Sequence, residues 1–162
     1  MSKSKYIVRQ ATEDDLDEVA ALDVACFPID ERIPVKPKHL WWIARTREEG
    51  HPVGYSGAWH WKPDNALVMH RAGVLWSARG NGLQLRMLRA RIQYARRNDI
   101  PQVWTYTTHD NIHSMNNLIK AGFKTWAPEH WWGKSNPTSV SDGYGWIFWS
   151  YKIEQEDGGG PE

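Results

Sequence analysis

Apolar and polar positions along this chain repeat with two different periods, and the switches between them mark its elements. Residues 6–9 read as a first strand, and Thr12 then precedes Glu13, Asp14 and Asp15, a helix cap with acidic residues in the first turn. Leu16, Val19, Ala20 and Val24 recur at helical spacing and predict one buried face. Pro28, Pro34 and Pro37 break that pattern, so residues 27–38 form a loop or a short helical turn. Strands are predicted over 40–46, 53–61 and 66–75, and the turn signals at 49–50 and 62–65 make them an antiparallel meander. A helix from 82 to about 97 places Leu85, Leu88, Ile92 and Ala95 on one face and leaves Arg86, Arg89, Arg96 and Arg97 toward solvent or a ligand. Because that helix intervenes, the strand at 103–107 is expected to run parallel to the one ending at Leu75. A helix over 111–121 stops at Gly122, and residues 122–132 and 144–153 form a closing hairpin around a polar loop, 133–143.

Length and composition narrow the class. A chain of 162 residues makes one ordinary domain, here 1–153 followed by a polar tail over 154–162, and its core needs no metal or disulfide. The single cysteine, Cys26, has no partner within the chain, and the N-terminus lacks the apolar run of a signal peptide, so the expectation is a soluble, cytoplasmic protein that contacts no membrane. A net charge of +1 gives no global attraction toward nucleic acid. Tryptophan is the outlier at eleven residues, with pairs at Trp41 and Trp42 and at Trp131 and Trp132, enough to fill a core and to line an aromatic-walled site as well.

Against this frame stands the stretch Arg79, Gly80, Asn81, Gly82, Leu83, Gln84 at the opening of a helix. Unpaired N–H groups and a partial positive charge at a helix start, with glycines that permit close backbone approach, suit a phosphate. Two glycines alone favour a plain strand-to-helix turn. The order of elements adds the context. A strand, a glycine turn opening a helix, a parallel strand, then Asn111 and a helix ending in Ala121, Gly122 and Phe123 resembles the GNAT superfamily of acyl-CoA N-acyltransferases. Its Arg/Gln-x-x-Gly-x-Gly/Ala motif is matched by Arg79 through Leu83, with Gln84 where a small residue is usual. Val74 matches the valine five residues before the arginine, and Asn111, Ser114, Lys120, Gly122 and Phe123 match the later pattern.

The resemblance implies an α/β (α+β) GNAT fold, with a mixed, mostly antiparallel sheet, a parallel and splayed central strand pair, and flanking helices. It implies acetyl-CoA as cosubstrate, its pyrophosphate cradled by backbone N–H groups from Arg79 to Gln84 and its pantetheine arm lying between the strands ending near Leu75 and Thr107, with Asn111 near that arm. Asn111 is also read as a simple helix cap, and both roles are compatible. An oxyanion donor is implied around Gly73 and Val74. The glutamate many members use as base falls at Val68, whereas His70, four residues before Val74 and on the same face by strand alternation, matches a histidine of the arylalkylamine branch. An ordinary imidazole pKa near 6.5 suits a base at neutral pH, and the competing reading is a hydrogen-bonded sheet histidine. The usual tyrosine acid falls at Leu118, which leaves the acid unassigned, Tyr106 being one candidate hydroxyl.

Three further signals lead elsewhere. His109 and His113 have two-histidine zinc spacing, but Asp110 stands where glutamate is required, so no metal is expected. Gly133, Lys134 and Ser135 resemble the end of a phosphate loop, but Pro128 replaces its first glycine. The arginines from 79 to 97 are compatible with nucleic acid, but a solvated helix face is the preferred reading of them. The function expected is transfer of an acetyl group from acetyl-CoA to a small-molecule or macromolecular amine by direct attack in a ternary complex, with 27–38 and 133–143 flanking the acceptor. The competing class is a catalytically silent GNAT-like domain that binds a protein partner or nucleic acid.

Overall fold

A computed structural model describes residues 3–32, 35–127 and 146–154. The loop 133–143, the tryptophans at 131 and 132, the segment carrying Gly133 to Ser135, and all of the tail but its first residue lie outside the described residues.

The strands are β1 (Tyr6–Gln10), β2 (Leu40–Thr46), β3 (Pro52–Trp61), β4 (Ala66–Val74), β5 (Gln102–Thr108), β6 (Lys124–Thr125) and β7 (Trp146–Lys152), with helices α1 (Leu16–Cys26), α2 (Leu83–Arg97) and α3 (Ile112–Ala121). They form a seven-stranded sheet in the order β1-β2-β3-β4-β5-β7-β6. The sheet is mostly antiparallel with one parallel pair, β4 and β5, and helices flank it, as the fold class implied by the sequence requires. The crossover through α2 makes that pair parallel, since a helix-length connection returns the chain in the same direction.

Residues group into two compact units, Met1–His60 with Met69–Arg91, and Trp61–Val68 with Ile92–Glu162. In the first unit β2 pairs antiparallel with β1 and with β3. Alternation along the strands sends Trp41, Ile43 and Tyr55 to one face, where Val19 and Leu22 of α1 cover them. Ala44, Val53 and Val74 go to the other, against Leu83 and Met87 of α2. The segment before α1 is capped as expected, the Thr12 N–H donating to Asp15 Oδ2 at 2.8 Å, but its first turn is a short 3-10 turn, Glu13–Asp15.

The buried stripe of α1 is corrected by the structure. It runs through Val19, Leu22 and Asp23, with Leu16 and Cys26 partly buried, while Ala20 and Val24 face solvent. In a helix of mostly small apolar residues, periodicity fixes the stripe poorly; here a buried polar network around Asp23 decides it.

In the second unit, β4 pairs with β5 over Ala66–Val68, matched to residues 102–104, and β5 pairs antiparallel with β7 from Gln102 with Lys152 to Thr108 with Trp146. The Trp149 indole donates to Thr107 Oγ1 at 2.9 Å, and β6 pairs with β7, the described part of the closing hairpin. Gly122 ends α3 at φ +99°, a left-handed conformation that favours glycine. No helix among the described residues is long and apolar enough to cross a membrane.

Candidate active site

The turn between β4 and α2 is built so that its glycines are obligatory. Gly80 has φ +80° and Gly82 φ +70°, and a Cβ at either would meet no protein atom within 4 Å. Their need is therefore conformational, and the space beside them stays open for an approaching ligand. The first helical bond of α2 runs from Arg86 N–H to Gly82 O at 3.0 Å, so the N–H groups of its opening turn have no carbonyl within the helix to bond. The Asn81 amide donates to Ala78 O at 2.9 Å and to Arg79 O at 3.2 Å, pinning the turn. Arg79 donates through Nε to Val74 O at 3.3 Å, and its guanidinium carbon lies 5.0 Å from the ring centre of Trp76, which is 82% exposed. A helix start, two left-handed glycines and a guanidinium held at their edge make an arrangement whose chemistry fits a pyrophosphate. Val74 and Leu83 are buried beside this turn as apolar support.

His70 lies on the α1 side of β4. Its ring packs at 4.8 Å, edge-on, against Trp41, at 5.3 Å, stacked, on Trp59, and at 5.5 Å from His39. Gly57 of β3 leaves the room for it, because a Cβ there would stand 2.1 Å from His70 Cε1 and 2.6 Å from Trp41 Cζ3. Burial, reinforced by the neighbouring His39 and Arg91, pushes the His70 pKa down to about 3, partly opposed by a hydrogen bond to the Ala58 backbone. His70 Nε2 is buried and makes no hydrogen bond to any described residue. A ring that donates through Nδ1 to a carbonyl keeps Nε2 as an unspent acceptor. The ordinary basicity expected from the sequence is thus corrected, since desolvation in an aromatic box disfavours the imidazolium.

The shared face expected for His70 and Val74 is corrected too. His70 meets Trp41 on the α1 side, whereas Val74 packs with Met87 on the α2 side. Arg71, the next residue, also reaches the α1 side: its Nη1 donates to Asp23 Oδ1 at 3.0 Å, and its guanidinium carbon lies 4.8 Å from the Phe27 ring centre. A Cβ at Gly73 would likewise meet Cys26 and Phe27, at 2.8 and 2.9 Å. A regular pleat cannot send both His70 and Arg71 to one side, so the strand breaks phase there, as an irregular ladder residue does.

The network behind this break was not legible in the sequence. Asp23, 2% exposed, accepts from Tyr55 Oη at 2.5 Å and Arg71 Nη1 at 3.0 Å, and Arg32 Nη1 stands 3.3 Å from its other oxygen. Arg32 also donates to the carbonyls of Phe27 and Asp30, tying the segment after α1 to the cluster. Burial and the Asp23 carboxylate hold the Tyr55 phenol well above its ordinary range, and burial raises the Cys26 thiol. Arg91, 4% exposed, donates to Met87 O and Gly57 O, and burial pushes its pKa down to about 9. Glycines inside strands, at 54, 57 and 73, were the available sequence signal, because a strand glycine marks a close approach.

The first unit holds His70 on the α1 side and Val74 and residues 79–84 toward α2, while Asn111 belongs to the second. There Asn111 caps α3, its Oδ1 accepting from Ser114 N–H at 3.2 Å. Leu118 is buried, and Tyr106 packs edge-on against Trp146 at 4.9 Å. His109 precedes the cap, so it does not share a helical face with His113.

Known proteins share this fold. A crystal structure of nourseothricin acetyltransferase is similar at 18% identity and a TM-score of 0.66, covering 92% of this chain and 99% of that one. An acetyltransferase from Salmonella typhimurium, solved with its cofactor acetyl-CoA, is similar at 14% identity and a TM-score of 0.67, with coverage of 95% and 97%. The ribosomal-protein-S5-alanine acetyltransferase from Vibrio fischeri is similar at 14% identity and a TM-score of 0.68, with coverage of 99% and 98%. These likenesses concern the fold. No curated protein matches the sequence. The model of the acetyltransferase (GNAT) family matches residues 8–123, which hold the glycine turn, His70 and the Asn111 cap, and the chain belongs to that family.

Proposed function

We propose that this protein is an N-acetyltransferase that moves an acetyl group from acetyl-CoA to an amine held beside β4. The observation that carries the reading is the turn at 79–84, with two left-handed glycines facing open space at the start of a fifteen-residue helix. The bound thioester supplies an electrophilic acyl carbon and a thiolate leaving group. Backbone N–H groups from Arg79 to Gln84 and the Arg79 guanidinium hold the pyrophosphate, and the backbone around Gly73 and Val74 donates to the developing oxyanion. His70 is the proton acceptor, its buried Nε2 being reached by the amine proton only once the surrounding side chains move aside. With a pKa near 3 its ring is neutral at pH 7 but weakly basic, so the amine must arrive deprotonated and His70 assists only as bond formation acidifies it.

Thermal unfolding with acetyl-CoA tests the cofactor assignment. At about 100 times its dissociation constant the ligand adds about 2.7 kcal/mol, a rise of roughly 5–10 °C for a chain of this size. Gly82→Glu, which puts bulk and negative charge at the pyrophosphate, is expected to abolish the rise in a folded protein. No rise in the wild type at millimolar acetyl-CoA refutes the reading. His70→Ala is expected to lower turnover about 10²-fold, the low end for general-base assistance, at unchanged acetyl-CoA affinity.

A further inference from the structure

We propose that the acceptor amine carries a carboxylate close to its nitrogen, and that Arg71 binds it. The inference rests on the acetyltransferase reading above and assigns the substrate class to the same site.

The phase break in β4 brings the proton acceptor and a guanidinium to one side of the sheet from consecutive positions, His70 and Arg71. That guanidinium is held before any ligand arrives. Nη1 makes both of its hydrogen bonds, to Asp23 Oδ1 at 3.0 Å and to Glu31 O at 3.1 Å, and the Phe27 ring lies against its face. The Nε and Nη2 edge makes no hydrogen bond to any described residue. This is the fork that receives a carboxylate with two parallel N–H donors.

Charge at the site favours an anion. Asp23 is the carboxylate of the cluster, and Arg71 and Arg32 both pair with it, so the cluster carries one net positive charge. Tyr55 remains a neutral donor to the same carboxylate. Asp30 and Glu31, next in the chain, enter through their backbone carbonyls. Arg79 and Arg91 add positive potential, which is felt at Cys26 and His70 respectively. Tyr55, Arg71 and Arg32 already surround the Asp23 carboxylate, so its single negative charge is more than offset before any acceptor arrives. A polyamine or aminoglycoside would therefore face uncompensated guanidinium charge, whereas an amino acid would place its carboxylate on Arg71 and its amine toward His70.

The test uses wild-type protein, saturating acetyl-CoA and paired acceptors, α- and β-amino acids against the corresponding amines that lack the carboxylate, with free CoA release as the readout. A carboxylate held by two charge-assisted bonds is expected to raise kcat/KM about 10- to 100-fold over the decarboxylated partner, mainly through KM. Arg71→Met is expected to erase that preference while acetyl-CoA still raises the melting temperature, and Arg71→Lys to restore part of it. Equal turnover of both sets, or a preference for amines lacking the carboxylate, overturns the inference. So does a preference that survives in folded Arg71→Met, or a full amino-acid panel that is neither bound nor acetylated by protein that binds acetyl-CoA. Failure to bind acetyl-CoA instead overturns the acetyltransferase reading beneath it.

Discussion

Gly57→Ala gives the most direct access to the geometry around His70. The added Cβ would fall 2.1 Å from His70 Cε1, 2.7 Å from its Nδ1 and 2.6 Å from Trp41 Cζ3, distances at which something must move. Neither ring can swing away cheaply, because Trp41 is 2% exposed and His70 is stacked on Trp59. Overpacking of a filled interior costs about 1–3 kcal/mol, and the reduced freedom of alanine in the unfolded chain returns about 0.4–1 kcal/mol. The expected net loss is about 1–2 kcal/mol, a fall in melting temperature of roughly 2–8 °C. Because the imidazole is what the methyl group displaces, turnover is expected to fall about 10²-fold, with acetyl-CoA binding retained. The decisive measurement is a double-mutant cycle by denaturant unfolding. In a His70→Ala background the contacts at 2.1 and 2.7 Å vanish and only Trp41, at 2.6 Å, remains in the way, so the second substitution is expected to be less destabilising by more than about 0.5 kcal/mol. Additive effects within that margin would refute the claim that Gly57 exists to seat His70.

Other expectations follow from the same unit. Folded His70 has a pKa near 3 against about 6.5 unfolded, so between those values the unfolded chain binds more protons, and stability rises with pH and is lost as pH falls. From pH 6.5 to 5 this amounts to about 1.6 kcal/mol, and His70→Phe, which keeps a ring in the box, is expected to flatten that part of the unfolding profile; an unchanged slope would show that His70 is not desolvated. The acid limb of kcat/KM is expected to follow the acceptor amine rather than a group near 6.5, which a series of acceptors of graded amine pKa reveals. Tyr55→Phe removes a 2.5 Å bond to a buried carboxylate and is expected to cost about 1.5–3 kcal/mol by urea unfolding. A loss under about 0.5 kcal/mol would show that the two arginines alone satisfy Asp23.

The sequence was most readable where structure is local. β2 spans Leu40–Thr46 as its alternation predicts, α2 begins one residue after the Gly82 that opens it, and α3 has Asn111 as its cap and Gly122 as its stop. Each follows from a few neighbouring side chains and backbone angles. The parallel partnership of β4 and β5 follows as well, because a helix-length crossover leaves one direction for the returning strand. The candidate cofactor turn was legible for the same reason, two glycines a residue apart being demanded by local φ alone.

What the tertiary structure decided is the chemistry of the residues that gather in the first unit. His70 was visible as a strand histidine, but its low pKa is imposed by Trp41, Trp59 and His39, which reach it from other points in the chain. Strict alternation put His70 on the side of Val74, and the phase break that puts it beside Arg71 instead leaves no mark in the hydrophobic pattern. Nothing in the pattern of α1 singles out Asp23, whose place is set by Tyr55, Arg71 and Arg32 closing around it. Backbone preference acts between near neighbours and is written in the sequence; desolvation and charge pairing act between residues that only the fold makes neighbours.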